Sequence, residues 1–153
     1  MSGLYDTDVV EWSERQAQLL RGLAARQSSN EQPDWDNIIE EVESVGRSQV
    51  DAVESLLTTA LLHDLKALAW PEARDVVNWE AEAQLFRSQA RRKLTASMRQ
   101  KLNIEDLFND AIKGLPKRMY DQPPGDLAAA VLKARPADLD AALADREAPA
   151  QQV

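Results

Sequence analysis

Along this chain apolar residues recur at intervals of three and four over four long stretches, and no run alternates with the period of two that a half-buried strand requires. The first stretch opens at Asp8, a side chain suited to cap free amides, with Glu11 three places on in the arrangement of a capping box. Val9, Trp12, Leu19, Leu20 and Leu23 then fall on one helical face, and Gly22 with the segment "QSSN" closes the helix. The second opens at Asp34 behind Pro33. Its stripe of Ile38, Val42, Val45, Val53, Leu56, Ala60, Leu61, Leu65 and Leu68 meets no breaker before Pro71. That predicts one helix of roughly 35 residues, about 50 Å at 1.5 Å per residue.

The third stretch carries Val76, Trp79, Ala83, Phe86, Ala90 and Leu94 on one face, with Glu80, Gln84, Arg87, Arg91 and Arg92 largely elsewhere. The fourth begins at Asn103, an N-cap with Asp106 at its third position, and continues through Leu107, Phe108, Ala111 and Ile112 until "GLP" stops it. Beyond Tyr120, "DLAAAVLKA" and "DLDAALAD" each predict two or three turns, capped by Asp126 and Asp138 and separated by Arg135 and Pro136. The pattern implies an all-α fold, a helical bundle of about four main helices with a long second helix and short C-terminal helices. It is expected to occupy residues 4–145 as one domain, with 146–153 a disordered tail that has nothing to bury.

Gly46 interrupts the longest stripe, and glycine inside a helix costs about 1 kcal/mol relative to alanine. Close approach of another backbone or of a side chain is the expected reason, and a local kink is the alternative.

Composition narrows the chemistry. The 153 residues contain no cysteine, which removes disulfides, thiolate metal sites and cysteine nucleophiles. Acidic residues outnumber basic ones by 26 to 18, a net charge of −8 that a nucleic-acid backbone would repel. The first residues are acidic where a signal peptide would be basic, and no apolar run approaches the roughly 20 residues of a membrane span, so a cytoplasmic protein without a membrane partner is expected.

The polar residues that invite a functional reading are Glu40, Glu43, Arg47, His63, Lys66 and Arg87. His63 is the only histidine, and a carboxylate-bridged metal centre would need Glu-x-x-His pairs on two helices, so no metal is expected. Glu40, Glu41 and Glu43 stand in the early turns of the second helix, where the helix dipole favours acids; Glu43 and Arg47 form an i,i+4 pair. A sharper expectation has Glu40 or Glu43 paired with Arg87 or Arg91. His63 and Glu43 are about 30 Å apart by helical rise and cannot share a site within one chain. The basic run "RSQARRK" from Arg87 lacks the interleaved aromatics that stack on bases, and nucleic-acid binding through Arg87, Arg91, Arg92 and Lys93 is the weakest reading. Phosphate loops, dinucleotide fingerprints and nucleophile elbows do not occur, so no cofactor is expected.

"LYDTDVVEW" near the start, "DWDNIIEEVESVGRS" from Asp34, "HDLKALAWP" from His63 and "NWEAEAQLFRSQARR" from Asn78 resemble the bacterial proteins grouped as domain of unknown function twenty-nine, with a fainter echo in "RPADLDAALAD". The resemblance places the family pattern on Asp8, Trp12, Trp35, Glu40, Glu41, Glu43, Gly46, Arg47, Ser48, His63, Lys66, Pro71, Trp79 and Arg87. Asp64, where the family carries leucine, and Ala67, where it carries an aromatic, depart from it. It implies a helical bundle and no particular activity.

Two functions from different classes are consistent with these residues. One is a helical interaction module that binds another protein or a second copy of itself. The other is an enzyme or small-ligand binder with a polar pocket near His63 or near Glu43 and Arg87. No reaction motif favours an enzyme.

Overall fold

The computed structural model describes residues 3–28 and 30–146. Among them every regular element is helical: α1 (Leu4–Thr7), α2 (Val9–Arg26), α3 (Trp35–Ala69), α4 (Val76–Lys93), a 3-10 turn (Ser97–Gln100), α5 (Ile104–Lys113), α6 (Leu127–Ala134) and α7 (Leu139–Leu143). The all-α expectation holds, as do the long second helix, which is the 35-residue α3, and the short C-terminal helices. The expected tail lies outside the described residues except for Arg146. No described helix is long and apolar enough to cross a membrane.

Local signals set the helix starts. Asp8 accepts from the Glu11 amide at 3.0 Å, Asn103 from Asp106 at 3.2 Å, Asp126 from Ala129 at 3.0 Å and Asp138 from Ala141 at 2.8 Å. Each oxygen satisfies one of the amides that a helix start leaves without an internal partner. Gly22 does not end α2, which runs on to Arg26; a single glycine is a tolerated cost, whereas the polar segment after Arg26 offers nothing to bury.

The chain forms two compact units, residues 1–53 with 93–102, and residues 54–92 with 103–153. In the first, α2 and the opening half of α3 run side by side and antiparallel. Gly46 is the point of closest approach: a Cβ built there would overlap Ser13 Oγ and stand 3.4 Å from Ser13 Cβ and 3.5 Å from Val10 Cα. Close approach, and not a kink, accounts for the glycine. The row of α2 that meets α3 is Val10, Ser13 and Ala17, one residue on from the expected Val9 and Trp12; of the expected leucines Leu20 is partly buried, while Leu19 and Leu23 are exposed. On α3 the offset is partial: Ile39 and Leu57 are buried while Ile38 and Val45 remain about two-fifths exposed, but Val53, Ala60, Leu61 and Leu65 are buried as expected.

In the second unit the remaining turns of α3 contribute Leu61 and Leu65, which pack with Phe108, Ala111 and Ala134. A second cluster joins Trp70, Trp79, Ala67, Ala69 and Ala130. The buried side of α4 carries Trp79, Ala83, Arg87 and Ala90, and that of the short α6 carries Ala130 and Ala134.

Candidate functional site

The six polar residues singled out above fall into two groups, Glu40, Glu43 and Arg47 in the first unit and His63, Lys66 and Arg87 in the second.

Around the first group, Ser13 and Gly46 bring the two helices together, and the longer charged side chains beside them wall a cleft of about 460 Å³. Arg21 of α2 pairs with Glu43 of α3; Arg47 pairs with Glu40 and reaches Glu43 at 3.5 Å; Lys101, just past the 3-10 turn, pairs with Glu14. Most of these side chains are half exposed, so each pair contributes little to stability, about 0–1 kcal/mol. As chemistry, the cleft offers charges that already neutralise one another.

At one end of this unit Asp8 does two jobs. Besides capping α2, its carboxylate accepts from the Ser97 amide at 2.9 Å and the Ser97 hydroxyl at 2.7 Å, tying the 3-10 turn to the start of α2. Burial pushes the Asp8 carboxyl up, but hydrogen bonds from the Glu11 and Ser97 amides and from the Ser97 and Thr95 hydroxyls outweigh it and hold the group below the usual aspartate value.

The opposite side of the same helix pair has a different character. At 100° per residue, Leu19 and Leu23 point away from Glu14, Gln18 and Arg21, and Ile38 and Val45 point away from Glu43 and Arg47. The side opposite the charged cleft is therefore apolar, with Leu19 62% and Leu23 47% exposed beside Ile38 and Val45. Arg15 edges this side on α2, and Glu41 edges it on α3.

The second group is engaged in structural bonds. His63 Nδ1 lies 2.8 Å from the Thr59 carbonyl oxygen, which only accepts, so Nδ1 carries a hydrogen; Nε2 lies 2.7 Å from a Glu82 carboxylate oxygen, and Phe86 meets the ring edge-on. The Lys66 ammonium sits 5.9 Å over the Trp79 ring. Arg87, expected on the polar side of its helix, is instead 2% exposed. Its guanidinium takes the Asp64 carboxylate in a two-pronged pair, and its Nε donates to the Ala142 carbonyl at 2.8 Å. Arg91 donates to the Leu143 carbonyl. The two arginines thus satisfy carbonyls in the last turn of α7, where a helix end attracts cations.

Within its own unit each of these residues finds partners the sequence did not suggest: Glu43 holds Arg21, Arg47 holds Glu40, and Arg87 and Arg91 hold Asp64, Asp145 and the end of α7. Arg87, expected in a basic phosphate-binding run, is sealed from solvent and adds nothing to such a surface. Asp64, which entered only as a departure from the family pattern, proves to be the partner of Arg87; an acid between Leu61 and Leu65 on a buried stripe was the available signal. Glu82 and Arg21 gave no comparable sign. Among the described residues no group of three or more histidine and acidic side chains is placed to hold a metal ion.

Comparison with known proteins adds fold and family. The model of the family described as Domain of unknown function DUF29 matches residues 4–131. A crystal structure of an alpha-helical protein of unknown function from Rhodospirillum rubrum is similar with a TM-score of 0.65 and 23% sequence identity, covering 89% of this chain and 100% of that one. That likeness concerns the fold alone. No curated protein matches the sequence.

Proposed function

The chain belongs to the family described as Domain of unknown function DUF29, and we propose that it acts as a cytoplasmic helical interaction module whose binding surface is the apolar side of α2 and the first half of α3. The observation that carries this reading is the uncovered row of Leu19, Leu23, Ile38 and Val45 on a helix pair that has little core of its own. Among the described residues the buried apolar side chains of this unit are Val10, Ala17, Ile39, Val53 and Met98. Two long helices cannot enclose a core; two more helices laid across their open side can, as in a four-helix bundle.

A second copy of the chain fits that role. Charge is compatible with it, since Arg15, which holds Glu11 of its own helix at 3.6 Å, and Glu41 stand at opposite edges and would meet their opposites across a two-fold axis. Fully burying a leucine, isoleucine or valine is worth about 1.5–3 kcal/mol, so covering four half-exposed ones contributes about 3–6 kcal/mol per copy. The two copies together gain about 6–12 kcal/mol, which an association cost of about 4–15 kcal/mol largely offsets, so the dimer is weak and dissociable, with Kd of about 1 μM at the tightest.

The polar residues support this reading over a catalytic one. His63, Arg87 and Glu43 are spent on partners from neighbouring elements, and Arg47 on the acids of its own helix. The test is size-exclusion chromatography with light scattering on the native chain and on L19E and V45E variants, with helicity followed by circular dichroism. A native dimer and folded, monomeric variants are expected. Variants that keep the native mass would refute the assignment of this surface.

A further inference from the structure

A second concave feature lies in the other unit and is unrelated to the interaction surface. The turn after α3 and the loop before α6 enclose a cleft of about 630 Å³, within the range of small-molecule sites. Its walls are apolar: Trp70 and Pro71 on one side, Met119, Tyr120 and Pro123 on the other.

The loop is built to hold this shape. Tyr120 and Asp121 stand at φ 50° and 60°, a left-handed conformation that side-chain-bearing residues seldom adopt. Two successive residues of this kind make the tight turn that joins Met119 and Gln122 through backbone hydrogen bonds of 2.8 and 2.9 Å. Four further bonds fasten it. The Trp70 indole donates to the Gln122 carbonyl at 3.1 Å, the Gly125 amide to the Ala69 carbonyl at 2.8 Å, the Tyr120 hydroxyl to Asp75, and Arg118 to the Asp121 carbonyl. A cleft fixed in this way does not have to be ordered when it binds, which lowers the cost of binding.

Charge selects among apolar occupants. The Arg74 guanidinium lies 4.9 Å over the Tyr120 ring at the rim, which leaves a cation beside a pair of aromatic walls. Glu72 stands at the same rim and Asp75 holds the Tyr120 hydroxyl, and both oppose an anion, so an acidic ligand would have to place its charge on the Arg74 guanidinium itself.

We propose that this cleft is a binding site for a small planar aromatic acid, its ring system between Trp70, Met119 and Tyr120 and its carboxylate on Arg74. Naphthoate is a suitable probe, with the neutral carboxamide of the same ring as its control. Titration of the full chain followed by nuclear magnetic resonance should show saturable shifts at the Trp70 indole and the Met119 methyl. Naphthoate should bind about tenfold more tightly than the carboxamide, the difference expected of one charge-assisted hydrogen bond. Arg74→Glu should abolish that preference, and Glu72→Gln should strengthen naphthoate binding. Both positions are exposed, and a thermal melt of each variant confirms its folding. Absence of saturable shifts up to millimolar probe, or shifts confined to residues outside the cleft, would overturn the site. Equal binding of acid and amide, unchanged by Arg74→Glu, would overturn the acid assignment.

Discussion

Replacing Gly46 with alanine tests the close approach of α2 and α3 in a single atom. In an exposed helix the change stabilises by about 1 kcal/mol through propensity alone. Here the new methyl would overlap Ser13 Oγ, and Val10 Cα, a backbone atom 3.5 Å away, limits any sideways escape. Ser13 is fully buried and its hydroxyl donates to the Val10 carbonyl at 2.8 Å. Turning the hydroxyl aside gives up that bond, about 1 kcal/mol, and overpacking costs about 1–3 kcal/mol more. The net expectation for Gly46→Ala is destabilisation by about 1–3 kcal/mol, a fall in Tm of about 2–12 °C for a chain of this size. In a Ser13→Ala background the overlapping oxygen is gone and only the 3.4 Å contact with Cβ remains, so the same substitution should be neutral or slightly stabilising. Urea and thermal unfolding of the four proteins in the cycle yield a coupling of about 2 kcal/mol. The reasoning is refuted if Gly46→Ala raises the stability of the native chain, or if its effect is the same in both backgrounds.

Other expectations follow from the polar contacts. Asp64→Leu leaves the Arg87 cation buried without its partner and should cost about 3–5 kcal/mol in urea unfolding, whereas Asp64→Leu with Arg87→Met should recover most of that loss. Asp8 is held below the usual aspartate value, so it contributes stability that is fully present above the unfolded pKa of about 3.9 and is lost as pH falls through its lower folded value. Asp8→Asn keeps the cap and removes the titration; the stability gap between native and variant proteins should therefore narrow from pH 5 to pH 2, and a constant gap would count against the role given to this carboxylate. Arg91→Ala should loosen α7 by removing the donor to Leu143, visible as faster amide exchange over residues 139–143 with little change elsewhere.

Helix positions were legible because their determinants are local. Asp8, Asn103, Asp126 and Asp138 each cap the helix they were expected to cap, and α3 ends within two residues of Pro71. The rotation of α2 and α3 was less legible for a reason visible in the residues themselves. Val9 and Val10, Leu19 and Leu20, Ile38 and Ile39, and Leu56 and Leu57 are adjacent apolar pairs, and neighbours on a helix differ by 100°, so periodicity alone does not decide which member faces the core. Ser13, Ala17 and Gly46 decide it, because small residues mark where two helices come closest, but an apolar count gives them little weight. The pairs Asp64–Arg87 and His63–Glu82 span 23 and 19 residues and depend on how α4 docks, which no local pattern specifies. The polar residues were thus found, and so was the local pair of Glu43 and Arg47, while the partners on other helices were not.

The apolar side of α2 and α3 is most directly tested by the mass of the native chain in solution. Sedimentation equilibrium from about 1 to 500 μM should show a reversible rise from the 17.1 kDa chain toward twice that value. A mass that stays at 17.1 kDa across the whole range would contradict self-association and leave Leu19, Leu23, Ile38 and Val45 without the occupant assigned to them.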